Sequence, residues 1–108
     1  MKKLFVSTPM NGLTDKAIVA NRIKMKKIAE AYEGEELDLI DSFIQEKPPE
    51  DCYWSVWYLG KSLEKLAEAD IFIGIDDTSG WKGCEIEALV ASQYGIKSYK
   101  VDASKLLY

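Results

Sequence analysis

The chain has 108 residues, 47% of them hydrophobic, which suits one packed domain and excludes wholesale disorder. Eighteen acidic against fourteen basic residues leave a net charge of −4, so the basic face with which a duplex nucleic-acid binder neutralises phosphates is not expected. There is no histidine, and Cys52 and Cys84 lie outside any CxxC spacing, which argues against Ser-His-Asp or Cys-His catalysis within one chain, a disulfide scaffold and a cysteine-rich zinc site.

Residues 3–7, around Leu4-Phe5-Val6, form a β-rich run too short for a signal peptide and read as a first strand. No apolar stretch reaches the roughly 18–20 residues of a membrane span, so a cytoplasmic protein with no membrane partner is expected. Thr8-Pro9-Met10-Asn11-Gly12 forces a loop. Thr14 or Asp15 then caps a helix running to about Tyr32, with Ile18, Met25, Ala29 and Tyr32 on one side and Gly34 as its stop. Leu37 to Ile40 is a short second strand ending in Asp41-Ser42, and residues 43–49 form a loop. A second helix is predicted over residues 53–68 with Asp51 as its cap. Residues 71–75 are a third strand, residues 76–82 a turn-forming loop, and Gly83 opens a third helix that ends near Tyr94-Gly95. A fourth strand over residues 96–101 and a terminal helical turn over 103–108 complete the chain.

This alternation predicts an α/β fold: a single domain over residues 1–108 whose parallel sheet of four to five strands is covered by helices on both faces. In such folds ligands bind beyond the carboxyl ends of the strands, where the strand order reverses. The loops after the first three strands belong there, and they are rich in polar and turn-forming residues.

With no metal or organic cofactor expected, chemistry must rest on carboxylates, hydroxyls, lysines or backbone dipoles. Ser7, Thr8, Pro9, Met10, Asn11 and Gly12 make a plausible anion or sugar cradle, or an ordinary strand-to-helix turn. In the third helix Glu87, Ala91 and Gly95 share one face at i, i+4 and i+8, and the helix dipole at its start should keep a carboxylate ionised. Asp76 and Asp77 end the third strand one loop earlier, within Asp-Asp-Thr-Ser-Gly. Two carboxylates facing a substrate are the minimal kit for cleaving a glycosidic bond. On the second helix Val56, Leu59, Leu63, Leu66 and Ala67 form a stripe for the sheet. Trp54 and Tyr58 point nearly opposite, with Trp57 on the flank, as for a subunit interface or a stacked base. Asn21 lies near the buried face of the first helix, where its amide must find partners.

These residues carry a resemblance that covers nearly the whole chain. Leu-Phe-Val-Ser-Thr-Pro-Met-Asn-Gly at the first strand, Asn21, the run Trp57-Tyr58-Leu59-Gly60-Lys61-Ser62-Leu63 continuing to Ala69-Asp70, and Trp81-Lys82-Gly83 leading to Glu87, Ala91 and Gly95 resemble the nucleoside 2-deoxyribosyltransferase superfamily, especially its small members common in phage and prophage genomes. The resemblance implies a flavodoxin-like (Rossmann-like) sheet, a homodimer or larger oligomer, and N-glycosidic chemistry on 2′-deoxynucleosides or their 5′-monophosphates. It places the nucleophile on Glu87, the carboxylate that assists the leaving base on Asp76 or Asp77, and the sugar or phosphate loop on residues 7–12, with Asn21, Ser79, Trp81 and Gly83 as further substrate contacts. The sequence departs from the enzymes at Trp81, where they carry an acid or a serine, and at Ala88-Leu89, where they carry Leu-Gly. The two functions in contention are therefore a glycosidase or transferase acting through a glycosyl-enzyme intermediate, and a module that holds a nucleotide without turning it over.

Overall fold

The computed structural model describes residues 1–106, and its framework is a four-stranded, all-parallel sheet. Strand β1 (Lys3–Val6) leads to helix α1 (Asp15–Glu33), β2 (Asp38–Leu39) to α2 (Trp54–Leu66), and β3 (Ile71–Ile75) to α3 (Lys82–Gln93). Strand β4 (Lys97–Val101) and a single 3-10 turn (Ala103–Lys105) follow. The order across the sheet is β2-β1-β3-β4, so the chain reverses its direction of travel between β1 and β3. The fold is of the flavodoxin/Rossmann-like kind, and in such sheets ligands bind at that reversal.

Side chains alternate across each strand, and this alternation creates two cores. Leu4, Val6, Ile71, Ile73, Ile75 and Val101 face α1, where Met25 and Ala29 meet them. Phe5 and Phe72 face the other way, stacked with centroids 6.0 Å apart, and pack with Leu66 of α2 and Ala91 of α3. One helix therefore covers one face and two cover the other. At 25 cal/mol per Å² of apolar area, each large side chain buried here contributes about 1.5–3 kcal/mol.

The limits of α1 follow from its caps. Thr14 Oγ1 accepts the Ala17 N–H at 3.2 Å, and Gly34, at φ 73°, turns the chain out of the helix in the left-handed region that favours glycine. Expectation and structure part in several places. Tyr32 is exposed rather than part of the buried stripe: at the end of α1 it stacks on Tyr99 of β4, with centroids 5.0 Å apart, instead of entering the core. Helix α2 begins at Trp54 after Tyr53, which gives no side-chain cap, so Asp51 does not cap it. Only the second half of α2 meets the sheet: Leu66 is buried and Leu59 and Leu63 half-buried, but Val56 and Ala67 are exposed. The terminal helical turn is confined to Ala103–Lys105, and residues 107–108 of that expectation lie outside the described residues. No helix among the described residues is long and apolar enough to cross a membrane.

Candidate functional site

Beyond the carboxyl end of β1 the chain is held to β3 by the Ser7 N–H, which donates to the Ile73 carbonyl at 2.9 Å. Because Ser7 follows Phe5 by two residues, its side chain projects to the α2–α3 face and is buried there. Gly74 of β3 makes room for this. A Cβ at Gly74 would stand 2.9 Å from the Phe72 ring and 3.9 Å from Ser7 Cβ.

Helix α3 brings Glu87 to the same place. Glu87 is in the second turn of α3, one turn before the fully buried Ala91, and only 8% exposed. Ser7 Oγ donates to its Oε1 at 2.7 Å, and Ser62 Oγ of α2 donates to its Oε2. Three elements thus converge on one carboxylate. Burial pushes the Glu87 carboxyl above its ordinary range, opposed by the Ser62 and Ser7 hydroxyls and by the positive charge of Arg22. The expected first-turn dipole effect falls instead on Glu85, which is the acid in the first turn and is exposed. Glu87 is therefore governed by burial and hydroxyl donors rather than by the helix end.

The loop after β1 divides into a buried half and an exposed half. Thr8 and Pro9 are buried, Met10, Asn11 and Gly12 are exposed, and Gly12 turns the chain at φ 78°. Asn21 is 1% exposed on α1 and is partnered. Trp81 precedes α3, half-buried against the α1-side core, with its N–H donating to the Thr78 carbonyl at 2.9 Å. Ser79 and Gly83 are exposed.

Asp76 and Asp77 are not joined to Glu87 by a hydrogen bond. Asp76 Oδ1 accepts the Ala103 N–H at 3.1 Å and ties the end of β3 to the turn after β4. Asp77 Oδ1 accepts the Ser79 N–H at 3.0 Å, a bond that holds its carboxyl below the ordinary range. Both are exposed, so either can reach a ligand only by leaving, or sharing, a backbone amide.

Four groups at this edge were not singled out from the sequence. Ser62 supplies half of the Glu87 hydrogen bonding, and Cys84, one turn before it, is buried with its thiol pushed up to about 11 by burial. Arg22 is 5% exposed, with its Cζ 4.1 Å above the centroid of Phe43 from the loop after β2. A signal for two of them existed. Arg22 occupies the stripe Ile18–Met25–Ala29 and Ser62 the stripe Leu59–Leu66, each a polar residue at an apolar helical phase.

Among the described residues, two depressions can be compared with the position of Glu87. One of about 340 Å³ lies between α1 and β4, lined by Ile28, Tyr32, Val101 and Lys105, away from Glu87. The other, about 220 Å³, runs between residues 41–46 and Lys61, Glu64 and Lys65 of α2, beside Phe43. Glu87 lines neither, and each of its oxygens accepts a serine hydroxyl. No protein-family model, no curated protein and no solved structure matches this chain.

Proposed function

We propose that the chain cleaves or transfers the N-glycosidic bond of 2′-deoxynucleosides or their 5′-monophosphates, with Glu87 as nucleophile. One observation carries the reading: a buried carboxylate, held by two hydroxyls and with no cation within ion-pair distance among the described residues, stands at the strand-order reversal where such sheets bind ligands. In the reaction a Glu87 oxygen forms a bond to C1′ as the C1′–N bond breaks, and the base leaves with that electron pair and takes up a proton. Asp76 or Asp77 would protonate or orient the base. Water, or a second base, then attacks C1′ of the ester, releases Glu87 as carboxylate and gives net retention. The Ser7 and Ser62 hydroxyls hold the carboxylate in one rotamer and offset its tendency to take up a proton. The setting is cytoplasmic, where nucleotides are made and broken.

The test is chromatographic. The four deoxynucleosides and their monophosphates are incubated with the protein, and free base is expected to appear with wild type and not with Glu87→Gln. A second reading, nucleotide binding without turnover, is favoured by one observation: Asp76 and Asp77 are both engaged by backbone amides. A thermal shift with no base released would select it.

We also propose that two copies pair through the outer side of α2. Trp54 is 57% and Tyr58 40% exposed there, and Trp57 packs edge-on against Tyr58 at 5.1 Å. The double variant Trp54→Glu, Tyr58→Glu is expected to convert a dimer to a monomer by light scattering. A wild-type monomer at micromolar concentration would end this part of the reading.

A further inference from the structure

Among the described residues Arg22 is a cation without an anion in ion-pair range. Its residue is 5% exposed, its Nη2 donates to the thioether sulfur of Met10 at 3.6 Å, and its Nε is buried with no partner among those residues. Among the described residues no carboxylate oxygen lies within the 4.0 Å of an ion pair. Asp41 and Glu87 act on it only through longer-range charge, and the Asp41 carboxylate is already bonded to the Phe43 N–H at 3.1 Å. Stacking on Phe43 fixes the plane of the guanidinium. A second orphan lies on the loop that Arg22 touches through Met10. Thr8 is 6% exposed, and its Oγ1 is buried without a hydrogen-bond partner.

Folding alone gives no reason for this arrangement. A buried polar group left unpaired opposes folding, and more so when it is charged. A guanidinium presents its donors in a rigid plane that suits the oxygens of a phosphate, and a hydroxyl adds a donor of free direction.

We propose that Arg22 and Thr8 form an oxyanion subsite for the phosphate of a phosphorylated ligand, next to Glu87. The subsite stands on these two side chains. It rests on the function proposed above only in taking the remainder of the ligand to be a nucleoside, so that the preferred substrate is the 5′-monophosphate.

The experiment is titration calorimetry with inorganic phosphate, with the four 2′-deoxynucleoside 5′-monophosphates and with the matching nucleosides. Wild type is compared with Arg22→Met, which keeps the length and loses the charge, and with Thr8→Val. Each protein is also melted without ligand. Wild type is expected to bind at least one monophosphate at least tenfold more tightly than its nucleoside. Arg22→Met should erase that ratio, and Thr8→Val should reduce it several-fold. Neither variant should melt below wild type in the absence of ligand, because each relieves an unsatisfied buried group, which in Arg22→Met offsets the lost contacts to Phe43 and Met10.

Equal affinity of wild type for monophosphates and nucleosides, or an unchanged ratio in Arg22→Met, would overturn the subsite. So would a lower melting temperature of both variants without ligand, since that would make these groups structural. Binding of inorganic phosphate that depends on Arg22, with no affinity for any nucleotide, would leave the subsite standing and remove the nucleotide reading. Monophosphate preference without base release would remove only the glycosidase.

Discussion

Two glutamates with shielded side chains stand at opposite ends of the sheet, and their surroundings act on them in opposite senses. At the amino edge Glu33 closes α1 with its side chain 3% exposed. Lys97 Nζ lies 2.6 Å from its Oε2, the Tyr99 hydroxyl donates to the same oxygen, and Lys2 Nζ lies 3.5 Å from Oε1. The bonds from Lys97 and Tyr99, outweighing burial, bring its carboxyl down to about 2. At the carboxyl edge Glu87 has hydroxyls in place of ammonium groups, and burial prevails. A carboxylate matched by cations is a tie between α1, β4 and the amino terminus. One bonded to neutral donors, with Arg22 acting on it only at longer range, has no cation bound to it, and a carboxyl perturbed in this way is a candidate for function.

The largest expected effect breaks the symmetry of the pair outright. Glu87→Gln should lower base release by about three orders of magnitude or more, as loss of a nucleophile commonly does. Glu33→Gln and Glu85→Gln should each leave it within a few-fold. If Glu85→Gln is the one that abolishes turnover, the nucleophile has been assigned two residues away from its true position.

Disturbing only the carboxyl edge sharpens the contrast. In Gly74→Ala the new methyl meets the buried Phe72 ring, which cannot swing away without opening the stack on Phe5. Overpacking of this sort costs about 1–3 kcal/mol. The variant should melt lower and release base more slowly, because Ser7 shifts with the strand. A melting temperature equal to that of wild type would mean that the Phe5–Phe72 core accommodates the methyl.

Titration gives a smaller effect with opposite signs at the two ends. Glu33 has an ordinary value of 4.5 and a folded value of about 2, so the unfolded chain binds the proton first as pH falls. Its contribution is complete above 4.5 and is lost between 4.5 and about 2. Glu87 is raised in the fold, so its neutral form is favoured and its cost grows as pH rises above 4.5. Glu33→Gln should therefore flatten the loss of stability towards pH 3, and Glu87→Gln should raise stability at pH 7 more than at pH 3. Urea midpoints at the two pH values read both, and equal responses of the two variants would erase the distinction between the sites.

The sheet was legible in the sequence because β1 and β3 are short apolar runs bounded by turn residues, a pattern with few alternatives. The start of α2 is not legible in the same way, since hydrophobic phase cannot tell that only the second half of the helix meets the sheet; Val56 has the right phase and is exposed. The candidate site divides in the same way. Ser7 and Glu87 stood out because each follows a recognisable pattern along the chain. Arg22 and Ser62 did not, because an arginine or serine on a helix ordinarily faces water, and their apolar helical phase is the one sign that they turn inward. Trp81 was legible as important but not as what it is in the fold, a wedge packed on the α1-side core just before α3.

The Ser7–Glu87 hydrogen bond joins residues 80 apart in the sequence, and the Ser62–Glu87 bond joins residues 25 apart. Closing loops of that length has an entropic cost that is recovered only after β1 and β3 have paired, so folding rate is limited by parallel, non-local contacts. No fragment from one half of the chain contains both Ser7 and Glu87. A partly folded chain can hold α1 or α3 and still lack the carboxylate's setting. On the proposed reading, chemistry at this edge therefore waits until β1, α2 and α3 have come together, and chains that are still emerging or have begun to unravel do not present Glu87 in this setting.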